Sequence, residues 1–433
     1  MTDPLAQPLR LPCGAVVPNR LCKAAMTEGL GDAQLRATER HVRLYGAWSE
    51  GGAGLHITGN VMIDRHVIER PGNVAIDTTH PPSVDAEARA RLRAWSAAGT
   101  VGGNGLWMQI SHAGRQSPRY ATRQPVGPSD VQLDLLGNYA RPRALREDEI
   151  TGLVQRFAAV AVIARETGFT GVQVHGAHGY LISSFLSPVT NRRTDAWGGS
   201  LENRARLLVE SVRAVRKAVG PDFPVSVKLN SDDFRKGGFS HADCLGVVQL
   251  LNGTAIDLLE ISGGNYEQPR LLGVSGREGD AVAVRESTKV REAYFLDYAA
   301  AIRKVATMPM MVTGGFRTRV GMEAALASGD TDLIGLGRPF CTHPDAARRL
   351  LAGEIDVLPA FERQLHLRPR GWLSPASRWL LPKMINVLGA QGWYYQQMDR
   401  LADGRPPDPG RGMLRSFARY WWNDLGKAAR LKR

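Results

Sequence analysis

Two imidazoles and a phenol fall within six residues in the run His175-Gly-Ala-His178-Gly-Tyr180. Imidazoles and phenols donate hydrogen bonds, and a phenol can also give up a proton to a substrate carbon. No carboxylate stands beside them to share a metal, so they read as hydrogen-bond donors and a proton source rather than as ligands. A second set of residues suits an anion. Thr313-Gly314-Gly315-Phe316 and Gly337-Arg338 pair glycines, which let backbone N–H groups approach a ligand, with a cation. Tight turns and a surface arginine would account for the same letters, and that plainer reading stays open here.

Such groups act together only if the fold brings them to one place. Short apolar segments alternate with amphipathic helices, and strands are predicted near 21–26, 54–59, 105–111, 171–175, 225–229, 257–261, 309–313 and 332–336. Between them lie helices such as 201–219, where Leu201, Ala205, Leu208, Val212, Val215 and Val219 share one face and Ser200 is placed to cap it. Eight strands interleaved with helices predict an α/β fold, a closed (β/α)8 TIM barrel, with an α-helical C-terminal extension. A doubly wound sheet is the alternative, but no Gly-x-Gly-x-x-Gly follows an early strand. In a barrel the chemistry sits at the C-terminal strand ends, where the His175 run, the Thr-Gly-Gly and the Gly-Arg all fall. Phosphate is commonly held after strands seven and eight. The division expected is a barrel over residues 1–350 and a basic helical extension over 351–433.

Composition limits the classes further. With 433 residues, 43% hydrophobic and 22% charged, the chain can bury a large core. It has no run of eighteen apolar residues, and its first twenty residues lack the order of a secretory signal, so a cytoplasmic location is expected. Cys13, Cys22, Cys244 and Cys341 are scattered, which signals neither zinc nor an iron–sulfur cluster. The net charge is +13, yet residues 411–433 hold seven Lys/Arg against Asp424 alone. Almost half the excess is therefore in the tail, and nucleic acid is not indicated.

The longer string His175-Gly-Ala-His178-Gly-Tyr180-Leu181, with Ser187-Pro188, Asn191-Arg192-Arg193-Thr194-Asp195 and Gly198-Gly199-Ser200-Leu201-Glu202-Asn203-Arg204, resembles the old yellow enzyme family. Asn19-Arg20 and Gln109-Ile110-Ser111-His112-Ala113-Gly114-Arg115 extend the resemblance, which spans residues 8–344. It implies a barrel holding FMN without a covalent link, reduced by NADH or NADPH. Ala25, Met26 and Thr27 would lie along the flavin, with the Thr27 hydroxyl near the C4 oxygen and N5; many bacterial relatives carry cysteine there. Gly59 would let backbone approach the isoalloxazine, and the Gln109 amide would meet the pyrimidine edge. Lys228 stands where relatives usually carry arginine, beside flavin N1 and the C2 oxygen. Gly314, Gly315, Gly337 and Arg338 would hold the phosphate. His175 and His178 would bind a substrate carbonyl oxygen and Tyr180 would protonate the α-carbon, although Tyr180 could serve packing alone.

The function implied is reduction of the activated C=C bond of an α,β-unsaturated carbonyl. Two alternatives are kept: an FMN-dependent dehydrogenase or oxidase acting on an amine or ring C–H, and an inactive flavin-binding interaction module. The family's dienoyl-CoA reductases and amine dehydrogenases carry an iron–sulfur cluster and a second flavoprotein region, for which this chain has neither the cysteines nor the length. Ser262-Gly263-Gly264-Asn265-Tyr266 and the polar stretch 268–288 are expected to shape the substrate pocket. In the tail, five of nine tryptophans predict packing, and Leu414, Phe417, Ala418, Trp421 and Leu425 form an apolar stripe beside Arg411, Arg415 and Arg419. Docking on the barrel, a homo-oligomer interface and an interfacial helix on anionic lipid compete as explanations.

Overall fold

The computed structural model describes residues 3–135, 137–262 and 296–431. Eight parallel strands form the barrel: β1 (Leu21–Lys23), β2 (Leu55–Met62), β3 (Gly105–Ser111), β4 (Gly171–Gly176), β5 (Val225–Asn230), β6 (Leu258–Ser262), β7 (Met310–Thr313) and β8 (Leu333–Leu336). Each pairs with its neighbour in sequence, and β8 pairs in parallel with β1, which closes the sheet. All eight predicted strands are present within a few residues. The first is shorter than expected: after Lys23 the chain leaves the ladder, with the Ala24 N–H still donating to the Leu336 carbonyl at 2.8 Å.

Helices α1 (Glu39–Ser49), α2 (Ala86–Ala98), α3 (Glu147–Glu166), α4 (Leu201–Val219), α5 (His241–Asn252), α6 (Leu296–Arg303), α7 (Arg319–Ala327) and α8 (Ala346–Leu351) follow the strands in turn. In α4 the Ser200 hydroxyl accepts from the Asn203 N–H, and the predicted face from Ala205 to Val219 is buried. Strand alternation sorts the rest. Val172, Val174, Val227 and Leu229 belong to the core between sheet and helices. Inside the barrel, Leu55, Ile57, Trp107, Leu258, Met311 and Leu333 form an apolar floor, sealed below by the hairpin of Leu9–Arg10 with Val16–Val17. Above that floor the inward positions turn polar.

The extension contributes α9 (Leu380–Ala402) and α10 (Met413–Arg430), which dock on the chain's own barrel. Arg40 of α1 bonds Asp399 and Asp403, each at 2.8 Å. Gly389 and Gly392 admit α10 closely, since a Cβ on Gly392 would stand 2.7 Å from that of Tyr420. The apolar stripe of α10 is not the face turned toward the barrel. Its buried residues are Ser416, Tyr420 and Asp424, whereas Leu414 and Leu425 are exposed. A buried ion pair sets the rotation of the helix: Asp424 accepts from Nε and Nη2 of Arg70 at 2.8–3.1 Å, and that guanidinium lies 3.6 Å from the centre of the Tyr395 ring. Of the five tail tryptophans, Trp393 is buried and Trp421 meets Tyr120 edge-on, while Trp372, Trp379 and Trp422 are exposed. Among the described residues no helix is long and apolar enough to cross a membrane.

Candidate active site

The donor cluster sits where β4 ends. His175 is its fifth residue and His178 and Tyr180 follow in the turn before a short helix, Leu181–Leu186. A left-handed backbone at His178 (φ 62) bends this turn, so that three rings converge. His175 lies 5.3 Å from His178 and 4.9 Å from Tyr180, centroid to centroid, both edge-on. The Ala177 N–H donates to His175 Nδ1 at 3.2 Å. That nitrogen must therefore be unprotonated, which leaves the proton on Nε2 as a donor. His178 Nε2 is 2.9 Å from the Ser262 hydroxyl. When Ser262 donates to it, the proton of His178 stands on Nδ1. Burial pushes both histidines well below their ordinary pKa, helped for each by the Lys228 charge and for His175 also by His178. Both are neutral donors rather than acids.

A polar relay crosses the barrel at the level of these rings. Gln109 and Gln173 are register partners on β3 and β4, and Lys228 and Glu260 on β5 and β6. Gln109 Nε2 donates to Gln173 Oε1 at 2.7 Å, Gln173 Nε2 donates to Glu260 Oε2 at 2.8 Å, and Lys228 Nζ lies 2.9 Å from Glu260 Oε1. All four are buried. Gln173 and Glu260 were missed in the sequence, where the two-residue alternation Gln173/His175 and Leu258/Glu260/Ser262 could have placed them on the inner face.

Ala25, Met26 and Thr27 leave β1 half-buried across the mouth. Met26 Sδ is 3.6 Å from Cys341 Sγ. The Thr27 hydroxyl donates to the Glu69 carboxylate at 2.9–3.0 Å, and Asn60 Nδ2 reaches the same carboxylate at 2.6 Å. Glu69 is a further residue that the sequence did not flag. Gly59 lies against the loop after β1. A side chain there would strike the Met26 carbonyl and Glu28 Oε2, so this glycine lets that loop pass close. Its N–H donates to Glu28 Oε1 at 2.9 Å, where the β2 ladder shifts register. Beneath it the Tyr45 hydroxyl links two buried groups, donating to Glu28 Oε1 and lying 3.4 Å from Lys23 Nζ. Burial lowers Lys23 to about 8 and raises Glu28.

The ends of β7 and β8 converge on the remaining side. Gly314 (φ 116) and Gly315 (φ 90) have backbone that favours glycine. The buried Thr313 hydroxyl just before them has no hydrogen-bond partner. Gly337 packs near Met26, and the guanidinium of Arg338 is 3.7 Å from Glu362, which also holds Arg317 and accepts from the Tyr394 hydroxyl at 2.7 Å. The Glu362 carboxylate thus orients two cations beside the glycine loops. Of the predicted stretches meant to shape the pocket, only Ser262 lies within the described residues; residues 263–295 lie outside them.

A closed parallel barrel with a buried donor cluster after β4, a polar inner layer and glycine loops with an arginine after β7 and β8 has the form of a flavin-dependent oxidoreductase. The chain belongs to the NADH:flavin oxidoreductase / NADH oxidase family, whose model matches residues 4–356. It is 33% identical over 423 residues to the NADH-dependent flavin oxidoreductase iccE of Talaromyces variabilis, covering 92% of this chain and 98% of that one. To iliE of Neonectria sp. (strain DH2), also an NADH-dependent flavin oxidoreductase, it is 37% identical over 354 residues, 78% of this chain and 46% of that one. The chain thus spans just under half the length of that relative. Among solved structures, an old yellow enzyme homologue from Zymomonas mobilis superposes with a TM-score of 0.67 at 26% identity, over 83% of this chain and 95% of the other. A 2-naphthoyl-CoA reductase gives 0.72 at 26%, over 82% and 53%. The resemblance to old yellow enzymes is therefore borne out, and with it FMN as cofactor and NADH or NADPH as reductant. The unpartnered Thr313 hydroxyl beside two left-handed glycines, and the polar layer above an apolar floor, fit such a cofactor.

Proposed function

We propose that this chain uses NAD(P)H to reduce the activated C=C bond of an α,β-unsaturated carbonyl compound. Bound FMN supplies the hydride-transfer chemistry through its N5. Gly314, Gly315, Gly337 and Arg338 would hold its phosphate, Ala25, Met26 and Thr27 would line its ring, and Gln109 and Lys228 would meet its pyrimidine edge.

The observation that carries this reading is the fixed tautomer of His175. Its Nε2–H and the Nδ1–H of His178, when Ser262 donates to that ring, are neutral donors held by backbone and hydroxyl. They orient a carbonyl oxygen and stabilise the negative charge that grows on it as the β-carbon is reduced. Neutral imidazoles with depressed pKa are poor acids, so the proton for the α-carbon falls to Tyr180, packed edge-on against His175. Catalysis is assigned to residues 1–350 and support of the mouth to residues 351–433. Dependence on a nicotinamide reductant supports a cytoplasmic location.

Anaerobic titration tests the proposal: NAD(P)H should bleach the flavin and an enone such as cyclohexenone should restore it. Bleaching by an amine without NAD(P)H would instead favour the dehydrogenase reading. An absence of turnover with either would favour the inactive module.

A further inference from the structure

The Lys228 side chain is not a lone cation. Its ammonium shares a buried carboxylate at 2.9 Å, and neither side chain is more than 4% exposed. The other carboxylate oxygen takes the Gln173 amide N–H at 2.8 Å, and Gln173 in turn accepts from Gln109 at 2.7 Å. An ionised carboxylate only accepts hydrogen bonds. Glu260 therefore forces the Gln173 amino group toward itself and the Gln173 carbonyl toward Gln109. Gln109 must then give one N–H to the relay, which leaves its own carbonyl and its second N–H for whatever lies above the floor. One carboxylate thus sets both the amide orientation and the net charge of this side of the barrel.

We propose that Glu260 is a positioning residue that neutralises Lys228 and thereby sets the redox balance of the bound flavin. This rests on the reading above that Lys228 and Gln109 meet the flavin's pyrimidine edge. Two-electron reduction places negative charge near that edge when N1 stays unprotonated. A lone buried cation would favour the reduced form, because charges interact strongly where water is excluded. A Lys–Glu pair offers far less, since its net charge is zero. Where relatives usually carry arginine, a lysine tied to a carboxylate supplies the hydrogen bonds of a cation without its full field.

The test measures dissociation constants of oxidised and of reduced FMN, with the midpoint potential and the absorbance change of N1 ionisation in the reduced protein, for four proteins: wild type, Glu260→Gln, Lys228→Met, and the double variant Lys228→Met/Glu260→Leu. Glu260→Gln should raise the preference for reduced over oxidised FMN about tenfold, about 30 mV for a two-electron couple, and should lower the N1 pKa. Lys228→Met should shift the preference the other way. The double variant, again neutral, should return to within about threefold of wild type. A Glu260→Gln protein with unchanged potential and N1 ionisation, beside a Lys228→Met protein that shifts, would overturn the proposal. Should Glu260→Gln not fold, a double variant indistinguishable from Lys228→Met overturns it equally. If Lys228→Met changes neither affinity nor potential, the placement of Lys228 at the flavin is what fails.

Discussion

Charge is buried in two regions of this molecule in opposite ways. At the junction of barrel and tail, Arg70 and Asp424 are tied to one another: three nitrogen–oxygen bonds of 2.8–3.1 Å join Nε and Nη2 to the carboxylate, and tyrosine rings lie over the guanidinium. At the barrel mouth, polar groups are held by a partner on one side and keep a donor on the other, as His175 does when Ala177 fixes its Nδ1. The first arrangement uses a planar, two-pronged cation and fixes a helix. The second uses lysine, glutamine and neutral imidazole, which hold position while retaining hydrogen-bonding capacity for a ligand. Damage should therefore read as lost stability in one region and as altered chemistry in the other.

The largest expected effect breaks the junction. Asp424→Asn leaves the Arg70 charge buried without its counter-ion, and breaking such a pair costs about 3–5 kcal/mol. Denaturant unfolding should show that loss, while the flavin half-reactions of the protein still folded keep near-normal rates. Deleting residues 410–433 removes the same partner and should cost at least as much. Stability within about 1 kcal/mol of wild type would mean that α10 rests on the barrel without fixing it.

At the mouth the expected pattern reverses. Tyr180→Phe should leave stability nearly unchanged and flavin reduction by NAD(P)H near its normal rate, yet slow reoxidation by an enone about 10²-fold. Stopped-flow traces of the two half-reactions separate these outcomes. Equal slowing of both would assign Tyr180 to packing or flavin position instead of proton delivery.

Arg338 lies between the extremes. Its side chain is 42% exposed and its nearest acid, Glu362, is 3.7 Å away, so solvent weakens whatever it contributes. Arg338→Ala should lower FMN affinity by about tenfold, the lower end for a charge-assisted contact to an anion. Equilibrium dialysis or fluorescence titration of apoprotein measures it, and an unchanged constant would mean the phosphate lies elsewhere.

The same contrast explains what could be read from the sequence. Barrel strands were legible because their apolar runs are bounded by turns and each buries a helix-facing side: 105–111 was placed to the residue, and the other seven differ by one to three at an end. The His175 run and the glycine loops stood out because unusual residue types crowd strand ends. Gln173 and Glu260 did not, because a single polar residue in a strand looks like a solvent-facing one until the barrel closes over it. Glu69 acts through a loop partner 42 residues away, Thr27, and no local pattern encodes that meeting. Which face of α10 turns in was not legible from its apolar stripe, because a specific ion pair and two glycines on α9 fix it.

The smallest expected effect is an absence of pH dependence where free histidine would produce one. Burial holds His175 and His178 well below the ordinary value near 6.5, so both are neutral from pH 6 to 8. Enone reoxidation should then vary by no more than about twofold over that range on account of these rings. His175→Asn keeps an N–H donor and should leave the profile equally flat at a lower rate. An inflection near 6.5 that vanishes in His175→Asn would show a charged imidazole and remove the reason for giving the proton to Tyr180. Stability carries the complementary sign. His41 and His56, each lowered to about 3 chiefly by burial, also stay unprotonated in the folded chain. As pH falls below about 6.5 the unfolded chain takes up protons that the folded one refuses. Each such histidine then removes up to about 1.4 kcal/mol per pH unit until its folded pKa is reached. A melting temperature that declines below pH 6 while the enone half-reaction stays level above it would separate stored cost from chemistry within the same set of buried rings.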